Sequence, residues 1–133
     1  MKSKKIVVLN ELKNSEKLLN LNTIRAVNAA KSNYDIAMSL LDADYVEVFA
    51  RNFSPGEIKH LWLEWTRHNI LLFTGTGFRA SYSDEKHEEQ EEKLKEYRKK
   101  RKIIRNVLIE RMKTSELSEY EVSEFKKVIR YFK

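Results

Sequence analysis

The 133-residue sequence has no cysteine, one proline and three glycines, and none of its apolar runs is long. Without a thiol there is no disulfide framework, no cysteine-based zinc site, no thiol nucleophile and no iron–sulfur cluster. The longest apolar runs, Ile6-Val7-Val8-Leu9 and Ile70-Leu71-Leu72-Phe73, fall far short of the roughly 20 residues that span a bilayer, so no membrane segment is expected. The amino end shows no apolar stretch with a small-residue cleavage site, which sets the expectation of a cytoplasmic protein, or one inside a virion. So few breakers favour helix over tight turns. What is present suffices for a core: 41% of residues are hydrophobic, with two tryptophans, six tyrosines and six phenylalanines.

Charge is the other abundant feature, 26 Lys and Arg against 20 Asp and Glu for a net of +6, and it is unevenly placed. Residues 84–92 carry −5 and residues 93–113 carry +8; without the latter stretch the chain is −2. Both belong to a long predicted helix, about Asp84 to Lys113, free of glycine and proline. Acids at its start and cations in its second half suit the helix macrodipole. Leu94, Tyr97, Ile104, Leu108 and Met112 form one stripe, interrupted by Arg101, while Lys95, Arg98, Lys99, Lys102 and Arg105 line an adjacent face. Three readings are open: a solvated charged face, a dimerisation helix with an arginine in its seam (Leu94, Tyr97, Arg101, Ile104, Leu108), or a basic face that contacts phosphates.

Elsewhere helical spacing dominates. Residues 2–19 read as a short basic helix, although Ile6-Val7-Val8 also suits a strand. Asn20 and Asn22 with Thr23 mark a break, and Ile24 to Leu41 keep helical period, with an interruption near Ser32-Asn33. Asp44 with Glu47 suggests a cap for a short helix through Phe53, with a strand at 45–48 as the alternative. Ser54-Pro55-Gly56-Glu57 combines a capping serine, proline at the first helical position and a glutamate at the third, and its helix is expected to reach His68. Ile70–Phe73, Thr74-Gly75-Thr76-Gly77 and Phe78–Tyr82 then read as two strands around a glycine turn. Ser118 with Glu121 caps a last helix bearing Val122, Phe125, Ile129 and Phe132.

Residues 44–82 resemble the winged helix-turn-helix. The positions that carry the resemblance are Ile58, Trp62, Trp65, Asn69, Ile70 and Leu71, with Asn69 where the family usually has glycine, followed by the Gly75-Thr76-Gly77 turn and Tyr82. The turn before the helix, with Val48, Arg51, Asn52 and Phe53, matches the family only in part. The resemblance implies a mainly α fold with a small β-hairpin and a long C-terminal helix; the alternative is an all-α helical bundle. It divides the chain into 1–83, holding the winged helix-turn-helix, and 84–133, a packing or dimerisation region of the same compact domain. It implies a dimeric DNA-binding transcriptional regulator, with Ser54, Gly56, Lys59 and His60 toward the major groove of double-stranded DNA and Arg79 on the wing. Ile58, Trp62 and Trp65 are expected in the core. The alternative function is a non-enzymatic module that binds another protein, or a basic nucleic-acid-coating protein of a phage, virus or mobile element.

No enzyme signature stands out, and no cofactor is expected. His60, Glu64 and His68 share a helix face, but the outer two are about 12 Å apart, too far for one metal ion. Gly75-Thr76-Gly77 lacks the Lys-Ser/Thr ending of a phosphate loop. The acids of 84–92 are sequential on one helix, whereas paired catalytic carboxylates usually converge from separate elements.

Overall fold

The computed structural model describes residues 3–14, 21–73 and 84–133, with the backbone alone for 70–73 and 84–90. Its described residues form helices α1 (Lys4–Asn14), α2 (Leu21–Ala29), α3 (Asn33–Asp42), α4 (Val46–Asn52), α5 (Pro55–Phe73), α6 (Asp84–Thr114) and α7 (Glu119–Tyr131), with no strand among them. The fold is mainly α, as the scarcity of breakers implies.

Local chemistry explains most boundaries. Ser32 caps α3, its hydroxyl accepting from the Asp35 amide at 3.2 Å, and this is the interruption that splits α2 from α3. Ser54 and Glu57 form a reciprocal pair at the head of α5: the Glu57 amide donates to Ser54 Oγ at 3.3 Å and the Ser54 amide to Glu57 Oε1 at 3.2 Å. Ser118 and Glu121 repeat the device at α7. At α4 the N-cap is Tyr45, with no side-chain cap, so the Asp44–Glu47 signal marks the right region but not the capping residue.

The predicted β-hairpin needs correction. Ile70-Leu71-Leu72-Phe73, expected as its first strand, is the last turn of α5, which runs to Phe73 instead of ending near His68. Four apolar residues in a row fit a buried strand or a helix equally well by period, and nothing at Asn69 stops the helix. Asn69 itself is helical, its side-chain amide donating to the Trp65 carbonyl four residues back at 2.8 Å, so it does not serve as a left-handed terminator. The expected glycine turn and second strand, 74–82, fall outside the described residues.

The helices share one core. Val8 and Leu12 of α1, Val27 of α2, Ile36, Leu40 and Leu41 of α3, Val46 and Phe49 of α4, Ile58 and Trp62 of α5, and Ile104 and Leu108 of α6 are all essentially inaccessible. Helix α6 lies across α4 and α7, and α5 packs on α3 and α7. Trp62 sits at the centre of an aromatic cluster, its ring 5.3 Å from Trp65, 5.1 Å from Tyr97 and 5.7 Å from Phe132. Ile58, Trp62 and Trp65 are thus core residues, as their spacing suggests.

Candidate nucleic-acid interface

Four helices end in carbonyls that a cation from elsewhere in the chain satisfies. The last carbonyls of any helix lack internal donors, and their partial negative charge favours a cation. Lys5 of α1 donates to Asn28 O at 3.0 Å and Ala30 O at 2.6 Å, closing α2. Lys100 donates to Leu41 O in the last turn of α3 at 2.5 Å and lies 4.9 Å from the Trp65 ring centre. That indole in turn donates to Asp42 at 2.8 Å. Arg111 donates to Ala50 O and Phe53 O, both at 2.7 Å, at the end of α4, and stacks on Phe125. Arg101 donates to the Tyr131, Phe132 and Lys133 carbonyls at the end of α7, and to the Tyr97 hydroxyl. Burial pushes the Lys100 ammonium below its usual pKa, against the opposing pull of Glu96, Asp44 and Asp42, and lowers that of Arg111.

The residues of the predicted dimer seam pack against the chain's own helices. Ile104 and Leu108 are 0% exposed within the single chain, Tyr97 stacks on Trp62, Leu94 is half-buried, and Arg101 is occupied by the end of α7. The stripe serves the chain's own core, and its arginine is the C-cap of a neighbouring helix. Sequence reasoning missed the inward roles of Lys100 and Arg111. A signal existed: they fall four residues before and seven after Ile104, on the same helix face.

The opposite side of α6 meets solvent. Lys95, Arg98, Lys99 and Lys102 are exposed and Arg105 is half-buried, so the five predicted phosphate-contact residues of α6 share an outward face about 15 Å long. The Arg105 Nε is enclosed without an acceptor among the described residues, leaving only its terminal nitrogens for an outside partner. Because Arg101 reaches the end of α7 and Arg111 covers Phe125, α6 and α7 run antiparallel. The C-terminal half of α7 is therefore level with 101–111 of α6; it carries the exposed Lys126, Lys127 and Arg130, with Lys133 just beyond it, and Lys127 pairs with Glu124 at 3.7 Å. These cations were hidden in the sequence by a segment, 114–133, whose charge sums to zero.

The start of α5 is exposed at Ser54, Gly56, Lys59 and His60, but its electrostatics suit an anion poorly. The Ser54 hydroxyl is engaged by the Glu57 amide, and the Glu57 carboxylate already occupies the helix N-terminus. Burial pushes Glu57 upward, yet hydrogen bonds from Ser54 and the Lys4 ammonium 3.7 Å away outweigh it and hold the carboxyl below its usual value of 4.5. Lys59 rests 5.0 Å over the Tyr131 ring. An open cleft of about 400 Å³ beside Ser54, Pro55 and Gly56 is lined by Glu121 and Glu124 as well as Arg111. Arg79 lies outside the described residues.

Among the described residues no cluster of three or more His, Asp or Glu side chains is placed to hold a metal, and no helix is long and apolar enough to cross a membrane. No protein-family model, curated protein or solved structure matches the chain.

Proposed function

We propose that the chain is a non-enzymatic nucleic-acid-binding protein that grips double-stranded DNA by its phosphates through the outer face of α6. The observation that carries this reading is the segregation of cations on that helix. Lys100, Arg101 and Arg111 turn inward to carbonyls, while Lys95, Arg98, Lys99 and Lys102 remain exposed on one face. Phosphates recur along a duplex, and a rigid helix presenting cations over several turns matches that repetition without reading bases. Lys126 and Arg130 on α7 and Lys133 just after it are exposed as well.

A salt titration of duplex binding tests it. Five phosphate contacts give a log–log slope of about −4.5, so affinity falls several hundred-fold, on the order of 10²–10³, between 50 and 200 mM salt. Replacing Lys95, Lys99 and Lys102 with alanine flattens the slope by about 2.7. Absence of duplex binding at about 100 mM salt, a concentration that leaves a five-contact grip measurable, overturns the proposal.

Sequence-specific regulation in the manner of a winged helix-turn-helix is a second reading. It is favoured by the exposed start of α5 directly after the short α4, with Lys59 and His60 outward. Against it stand the helical Ile70–Phe73 and the carboxylates around Ser54. A preference for one palindromic duplex over random sequence, relaxed by Lys59→Ala, supports it; equal affinity for all sequences removes it.

A further inference from the structure

Charge on the outer side of α6 follows a second pattern. Positions seven apart on one flank are Asp84, Glu91, Arg98 and Arg105; the other flank reads Glu85, Glu92, Lys99 and Asn106; between them run Glu88, Lys95 and Lys102. A seven-residue step falls only about 20° short of two full turns, so all of these positions belong to one side of the helix. Among these positions every acid precedes Lys95 and every other cation follows it. Glu91, Glu92, Lys95, Arg98, Lys99 and Lys102 are exposed.

We propose that this side of α6 docks on the same side of a second copy of the chain, antiparallel, about a two-fold axis at Lys95. In such a pair, residues on one flank meet when their numbers sum to a constant near 190. That rule sets Asp84 against Arg105, Glu91 against Arg98, Glu92 against Lys99 and Glu88 against Lys102, and the symmetry repeats each pair. All four are opposite in sign; Lys95 meets its own copy at the axis. A slide of one heptad one way brings Lys95 against Lys102 and puts Arg98 and Lys99 against their own copies; a slide the other way keeps fewer opposite pairs and puts Glu91 and Glu92 against their own copies, and an in-register parallel pair sets like charges side by side throughout. Among two-fold pairs the pattern therefore favours this register and orientation, by the larger number of opposite pairs and the smaller number of like contacts. The antiparallel helix dipoles add to it.

Pairing covers the cations assigned above to phosphate contact. A second copy and a duplex then compete for one face, with the acidic turns of each partner standing in for a phosphate strand. This consequence, unlike the pairing itself, rests on the nucleic-acid reading.

Light scattering on the full chain tests the pairing. The mass is expected to double from 15.9 kDa at about 20 mM salt and to return to 15.9 kDa at about 500 mM, because exposed ion pairs are screened. Glu88→Lys with Glu92→Lys, and separately Lys99→Glu with Lys102→Glu, each give a monomer at low salt. An equimolar mixture of the two variants restores the doubled mass, since each then meets its complement. A wild type that stays monomeric at low salt, variants that still dimerise, or a mixture that remains monomeric overturns the proposal. Adding duplex separates the two claims. Dissociation of the wild-type dimer by duplex, with tighter binding by the Glu88→Lys, Glu92→Lys variant, supports both. Dimerisation without any duplex binding leaves the pairing standing and removes the nucleic-acid reading; duplex binding by a chain monomeric at every salt does the reverse.

Discussion

The inward and outward cations of α6 are the same residue types on adjacent positions, yet they meet opposite surroundings. Lys99 is exposed; Lys100, one residue on, is buried against Trp65 and donates to Leu41 O. Arg98 is exposed, while Arg101 gathers the three terminal carbonyls of α7. The difference lies in register alone: a step of 100° per residue carries a side chain from solvent to the core side within two positions. A basic segment therefore does not declare a polyanion partner. Part of its charge can be spent on the ends of the chain's own helices, and only the remainder is available outside.

The comparison breaks most sharply at Arg111. Arg111→Ala removes two 2.7 Å hydrogen bonds from a charged donor and leaves the Ala50 and Phe53 carbonyls at the end of α4 without it. A loss of about 2–3 kcal/mol is expected, read as a lower urea midpoint, because hydrogen bonds to charged groups are worth roughly 1.5–3 kcal/mol. Lys102→Ala, on the outward face, should change stability by less than about 0.5 kcal/mol and instead flatten the salt slope of duplex binding by about 0.9. Equal destabilisation by the two substitutions would erase the distinction between the faces.

Lys100 gives a test that depends on pH. Its folded pKa is depressed by burial, so the unfolded chain binds more protons in the alkaline range just below the usual value of 10.5. Stability rises with pH wherever that holds. Relative to Lys100→Met, the wild type should gain stability as pH climbs toward 10.5 and show a constant difference near neutrality. Tyr131, whose pKa burial raises and whose contribution is lost as pH rises past its folded value, is common to both proteins and cancels in the difference. A difference that is flat or falls over this range would mean that the ammonium is not desolvated at the α3 end.

Both faces were partly legible in the sequence. The caps Ser54–Glu57 and Ser118–Glu121 and the limits of α6 could be read because side-chain chemistry at helix ends is local. The outward set Lys95, Arg98, Lys99 and Lys102 followed from helical period alone. What escaped was long-range. Arg101 contacts residues 30 to 32 positions away and Arg111 residues 58 to 61 away, and no local pattern encodes which helix end a cation will reach. Ile70–Phe73 failed for a different reason: a short apolar run carries no period, and the helix already under way from Pro55 decides its conformation.

The smallest expected effect concerns the other end of the comparison, an acid that occupies a helix N-terminus where α6 and Lys5 place cations at C-termini. Glu57 accepts from the Ser54 amide and sits 3.7 Å from Lys4, which ties the head of α5 to α1. Its folded pKa lies below 4.5, so its contribution is present above that value and fades as pH falls through the lower, folded one. Glu57→Gln should keep both hydrogen bonds of the capping pair, since the amide oxygen accepts as the carboxylate does, but abolish this acid limb, leaving stability near neutrality only slightly lower. Because the carboxylate accepts from the Ser54 amide at 3.2 Å, the same substitution also asks whether the start of α5 repels phosphate. If duplex affinity rises in Glu57→Gln, the α5 terminus lies near the bound duplex and the sequence-reading proposal gains ground; if affinity is unchanged, the grip belongs to α6 and α7 alone.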